Sequence, residues 1–134
     1  MHILSIASRA AILASTFAAG YSLAERAAPK EPKGIQIEKL GAMDLAGEIE
    51  SLDGLRIRLD RLTIQPGGMS PLHSHNGRPG IAYMVRGSYV SHAEGKQDEV
   101  LRAGQVWTSG KGRDHWIENV GNEPAVALLF VLGK

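Results

Sequence analysis

His73 and His75 stand one residue apart, and a third histidine follows at His115. Successive side chains of a β-strand point to opposite faces, so His73-Ser74-His75 aims both imidazoles the same way. Their Cα atoms are then about 6.5–7 Å apart. Both rings reach a single ion at a Zn–N length of about 2.0–2.1 Å, and a neighbouring strand can add His115. Imidazole suits zinc, copper, iron and nickel. The pattern predicts one divalent metal held by His73, His75 and His115. An isolated His-x-His is weak by itself, because two core histidines bonded to backbone, or a solvated rim, read the same way. The flanking residues add weight. Glycine and proline clusters bound a short polar strand at the histidine pair and then an apolar one, Ile81 to Val85.

The spacing of those flanks resembles a known family, the cupins. The first cupin motif is a glycine, five residues, H-x-H, three or four residues, a glutamate, six residues and a glycine. Gly67, His73, His75 and Gly87 match it. In the second motif Gly104, Gly112, His115 and Asn119 match, and Gly110 stands where proline is usual. Sixteen residues, Ser88 to Ala103, separate the two motifs. The resemblance covers about residues 35 to 132 and implies an all-β fold, a cupin-type double-stranded β-helix or jelly-roll barrel. It does not specify an activity, because cupins host many unrelated ones.

The glutamate position of the first motif falls on Gly80. Three neutral imidazoles without a carboxylate leave a divalent ion its full charge and more open positions. Such an ion is a stronger Lewis acid and favours an anionic ligand or hydroxide. Three-histidine cupins that activate dioxygen exist in the superfamily. The resemblance therefore implies a metal-dependent oxygenase acting on a small organic substrate. The alternative is a non-catalytic small-molecule or metal-binding module.

Other residues near the motifs invite roles. Arg78 is placed to clamp a substrate carboxylate through two parallel N–H donors. His92, on a strand, is a candidate proton carrier or extra ligand. Ala82 and Met84 share the parity of Gly80 and should face the barrel interior, Met84 as an adaptable apolar wall of the substrate cavity. Gly80 itself should leave room where the carboxylate usually stands. Tyr83, Trp107 and Trp116 are expected mainly as packing residues, in a chain with 5% aromatics.

The elements that must carry these residues read as short strands. Ile35, Ile37 and Leu40 begin the first. Leu55-Arg56-Ile57-Arg58-Leu59 alternates with its arginines outward, and the phase breaks at Asp60-Arg61 before Leu62 and Ile64, which suggests a bulge. Ala125 to Leu132 is a nearly continuous apolar run, expected as a central strand covered on both faces.

One domain of 134 residues with 43% apolar content can bury one core. Residues 1–24 read as a secretory signal peptide, with a short apolar stretch and the small-residue site Ser22-Leu23-Ala24. A retained hydrophobic anchor is the alternative, although about 15 apolar residues fall short of the ~20 needed to span a bilayer. Residues 25–34 are charged and proline-bearing, a flexible leader. The cupin domain is then 35–134, and the protein is expected in the periplasm or secreted. Removing residues 1–24 takes away Arg9 alone and leaves 14 basic and 14 acidic residues. That balance excludes a nucleic-acid footprint. Without cysteine, no disulfide, thiolate nucleophile or sulfur-ligated metal is available. An exported chain takes its metal outside the cytoplasm, where the Irving–Williams order ranks copper and zinc above iron and manganese, so zinc or copper is expected, with iron, manganese or nickel as alternatives. The expected partners are a small-molecule ligand and a second copy of the chain in a homodimer, with no stable membrane anchor after cleavage.

Overall fold

The structure, a computed structural model, describes residues 27–134. The signal segment expected at residues 1–24 lies outside the described residues. Among the described residues nine strands make up the fold: β1 (Lys33–Asp44), β2 (Arg56–Met69), β3 (His73–Ser74), β4 (Gly80–Arg86), β5 (Ser88–His92), β6 (Glu99–Arg102), β7 (Val106–Ser109), β8 (Asp114–Glu118) and β9 (Ala125–Gly133). There is no helix among the described residues. The strands pair antiparallel in the order β6-β5-β8-β2-β9-β4-β7, with β1 added to β2 and β3 to β8. The path curls into a nearly closed jelly-roll barrel, as the sequence resemblance implied.

Alternation explains the core. On β4, Ala82 and Met84 are buried while Ile81, Tyr83 and Val85 are exposed. Leu62 and Ile64 of β2 meet Tyr89 of β5, Ile117 of β8 and Ala127 of β9 inside the barrel. Fully buried side chains such as Ile64 and Met84 each contribute about 1.5–3 kcal/mol.

The phase of β2 differs from the sequence expectation. Arg58, Asp60, Leu62 and Ile64 share one parity and face inward, and Ile57 and Leu59 face outward. Asp60 is buried and accepts a hydrogen bond from Arg58 Nε at 2.7 Å. This ion pair, with the Arg58 side chain reaching in from a position still 40% exposed, lets Asp60 occupy a buried position, so β2 needs no phase break. Its pairing with β9 runs without a shift from Arg56↔Gly133 to Ile64↔Ala125. The β1–β2 pairing is irregular at two other places: between Lys39 and Gly41, where Leu40 is the extra residue of β1, and between Lys33 and Ile35, whose partners Met69 and Ile64 leave extra residues on β2. β1 also starts at Lys33, inside the expected leader.

Two motif residues shape turns and joints. Gly87 links β4 to β5 at φ 69°, and an added Cβ would lie 2.6 Å from the Pro124 carbonyl oxygen. Only glycine fits both conditions. Asn119 donates from Nδ2 to the carbonyls of Ile64 and Glu123 and accepts from Gly121 N–H. It ties the end of β8 to β2, so its role is structural.

Candidate metal centre

β3 and β8 pair with His73 directly opposite His115. β3 is two residues long, but His75 N–H still donates to Arg113 O at 3.1 Å and carries the pairing one residue further. The pleat then does what the sequence suggested: His73 and His75 lie on one face, and His115 joins them from the neighbouring strand. One nitrogen from each of the three lies within 4.8 Å of the others. His75 Nε2 and His115 Nε2 are 3.0 Å apart. Two ligands about 2.1 Å from one ion would subtend about 90° at that separation.

Each ring is oriented through its other nitrogen. His73 Nδ1 lies 3.1 Å from the Pro71 carbonyl oxygen. A carbonyl only accepts, so Nδ1 carries the proton and Nε2 keeps its lone pair. His115 Nδ1 is 2.8 Å from Ser91 Oγ, and His75 Nδ1 is 3.0 Å from Ser109 Oγ. Both hydroxyls can accept an Nδ1–H, which turns both Nε2 lone pairs toward the shared centre. Metal-binding histidines are held in this way. Burial, and then the neighbouring His73 and His75, push the pKa of His115 down to about 3. Burial and then His73 also lower that of His75, partly opposed by a backbone hydrogen bond with Arg78, while the charges of Arg78 and Arg113 add smaller repulsions. These two imidazoles therefore remain neutral at pH 7, the form a metal needs. The donor set fits a divalent ion: three imidazole nitrogens of one type, each ring oriented, with the His75 and His115 rings held neutral by burial.

The histidines open on a cavity of about 330 Å³. Leu62, Ala82, Ile117 and Leu129 give it apolar walls, with Arg78 as its one lining guanidinium and no lining carboxylate among the described residues. Arg78 Nη2 donates to Ser74 O at 3.1 Å beside the histidine pair. Trp107 lines the cavity with its ring centroid 4.7 Å from that of His115. Arg113 lies over the Trp107 ring at 4.9 Å and pairs with Glu99 at 3.2 Å. Tyr89 also lines the cavity, and burial raises its pKa, so its hydroxyl stays protonated.

Three expectations land elsewhere. Met84 faces inward but packs in the core, one pleat beyond Ala82, and is absent from the cavity wall. His92 has the opposite parity to Tyr89 and Ser91, so it faces away from the cavity. There it stacks on Trp116 at 4.0 Å and pairs with Asp98 at 2.8 Å and Glu118 at 3.1 Å. Gly80 leaves no spare room: a Cβ there would lie 2.9 Å from Phe130 O, though it would also point within 3.7 Å of Ser109 Oγ. The strands are drawn together where the motif glutamate would stand. Sequence reasoning passed over Ser91 and Ser109. Ser91 shares a face with Tyr89, and Ser109 pairs with Gly80, yet neither relation was visible before the strands were paired.

The family model for the cupin domain matches residues 60–131. The chain belongs to the cupin domain family. Its similarity to curated cupins is partial. It is 33% identical to germin-like protein 1 of Brassica napus over 86 residues, 61% of this chain and 42% of that protein. It is 40% identical to an oxalate-binding protein of Thermotoga maritima over 72 residues, 54% of this chain and 59% of that one. This cupin thus spans about half the length of these relatives. Among solved structures, an oxalate oxidase in complex with glycolate superposes with a TM-score of 0.56 at 23% identity, over 76% of this chain and 52% of that one. That likeness concerns the fold.

Proposed function

We propose that this cupin binds one divalent metal through His73, His75 and His115 and holds a small carboxylic acid beside it, acting as an exported metal-dependent oxygenase. One observation carries the reading: three oriented histidines converge in an apolar cavity that has an arginine on its wall and, among the described residues, no carboxylate. Such a site is electropositive once a cation is bound, and an anion is its natural occupant. The oxalate-binding relative and the glycolate-bound structural neighbour support a small organic acid as ligand class.

The metal, when bound, supplies Lewis-acid or redox chemistry. The chain supplies the rest. Arg78 offers parallel donors to a carboxylate. Tyr89, kept neutral by burial, is a donor and not a base. Leu62 and Leu129 exclude water and strengthen every polar contact inside. Ser91, Ser109 and the Pro71 carbonyl hold the ligand rings in place.

A second reading is a non-catalytic binding module. It is favoured by the cavity wall itself, where no carboxylate among the described residues is placed to act as a general acid or base. Iron-loaded protein given oxalate or glycolate separates the two. Calorimetric binding with substrate-dependent oxygen uptake supports the oxygenase. Binding with no uptake supports the module. No binding of either acid by metal-loaded protein overturns both. For the native ion, the export route favours zinc or copper.

A further inference from the structure

The three histidines and Arg78 make up one part of the cavity wall, and much of the rest is hydrocarbon. The register of the strands separates the two. Gly80 pairs with Ser109, whose hydroxyl meets His75 Nδ1. One pleat further in, about 7 Å along the strands, Ala82 pairs with Leu129. Leu62 pairs with Ala127 a further pleat in, where the core begins. Ile35 of β1 and Ile117 of β8 line the same space.

Among the described residues the hydroxyl groups on the wall are those of Ser70, Tyr89 and Ser109. Ser70 Oγ accepts from Ile117 N–H at 3.0 Å, and Ser109 Oγ lies 3.0 Å from His75 Nδ1, so both are engaged within the protein. Charge is therefore offered to a ligand at one place, the histidine centre with Arg78. A carboxylate set against Leu62 or Leu129 instead would give up its hydration to hydrocarbon, which is strongly unfavourable.

Volume sets the scale of the remainder. An engineered cavity of about 150 Å³ lined by leucine, isoleucine and phenylalanine takes up benzene. This cavity holds about 330 Å³. A two-carbon acid such as glycolate meets its charged part and leaves the hydrocarbon part uncovered.

We propose, resting on the metal-and-acid reading of this site, that its ligand is a monocarboxylic acid with a compact apolar body of about six to eight carbon atoms. The carboxylate lies at the histidine centre and Arg78. The apolar body runs inward along Ala82, Leu129 and Leu62, and burying it supplies most of the affinity.

Calorimetric titration of the zinc-loaded full chain with acetate, butanoate and hexanoate tests this. Each added methylene should tighten binding about three- to fourfold, so that hexanoate binds on the order of 100-fold tighter than acetate. Arg78→Ala should weaken all three acids by a similar factor. Leu129 and Ile35 are half-buried wall residues on different strands. Leu129→Thr should remove most of the gain from acetate to hexanoate, and Ile35→Thr gives the same readout if the first variant does not fold. A flat series, with acetate bound as tightly as hexanoate, overturns the proposal and leaves the metal-and-acid reading standing. So does an acetate-to-hexanoate ratio unchanged in the folded threonine variant, which would put the alkyl chain outside this cavity. No binding of any of the three acids overturns the proposal and that reading together.

Discussion

His75 and His115, forty positions apart in sequence, bring their Nε2 atoms to 3.0 Å of each other, and each holds a serine hydroxyl at its Nδ1. Two neutral imidazoles meeting nitrogen to nitrogen share at most one proton between them. A cation placed there would use both lone pairs. The pairing of β3 with β8 creates this contact, and Ser109 and Ser91 fix the angle of each ring.

The three histidines should act as one ligand set. His73→Ala, His75→Ala and His115→Ala should each abolish stoichiometric metal binding while the β-rich circular dichroism spectrum persists. Elemental analysis after gel filtration reads the outcome. Unchanged metal content in the His115→Ala protein would remove that residue from the site.

The serines should matter through the histidines they hold. Ser91→Ala and Ser109→Ala should each weaken metal affinity about 10–100-fold without changing stoichiometry. A competition titration against a chromophoric chelator measures this. Equal affinity in parent and variants would show that the rings are oriented without the hydroxyls.

Metal-free protein should lose stability as pH falls. The pKa of His115 is near 3 in the fold, against 6.5 for the free side chain. Below pH 6.5 the unfolded chain therefore binds a proton that the folded chain refuses, and stability declines toward pH 3. His75 is shifted in the same direction. Urea unfolding midpoints of the metal-free protein should be lower at pH 5 than at pH 7. Equal midpoints would count against neutral, buried imidazoles.

Gly80→Ala should cost about 1–3 kcal/mol of stability. Its Cβ would stand 2.9 Å from the Phe130 carbonyl oxygen, a backbone atom that cannot swing aside. Gly80→Glu should carry the same cost, so a carboxylate added at this position does not give a tighter site by simple addition. Denaturant melts decide the matter, and an Ala variant as stable as the parent would mean that β4 and β9 part easily at this point.

Arg78→Ala should weaken binding of oxalate or glycolate to metal-loaded protein by roughly 10–100-fold, the worth of about 1.5–3 kcal/mol for hydrogen bonds to a charged group. Metal affinity should not fall. Calorimetry with each acid reads both quantities, and an unchanged acid affinity would place the ligand elsewhere in the cavity.

The sequence by itself determined which three histidines cluster and the class of fold. The pleat forces His73 and His75 onto one face wherever the strand lies, and the motif spacing to His115 and Asn119 is covalent information. The same parity rule put Ala82 and Met84 inside the barrel. What parity cannot do is choose which face of a strand is buried, or how deep along the barrel a residue sits. On β2, Asp60 faces inward because it finds the Arg58 guanidinium at 2.7 Å, and that parity made Ile57 and Leu59 outer residues. On β5 the inward face belongs to Tyr89 and Ser91, and His92 turned away to Trp116. Met84 shares Ala82's face but stands one pleat too far along to reach the cavity. Ser91 and Ser109 reach their histidines across 24 and 34 residues of chain. Only the tertiary structure decided these matters, because strand pairing, burial and hydrogen bonding between distant segments are properties of the closed barrel and not of any local window of residues.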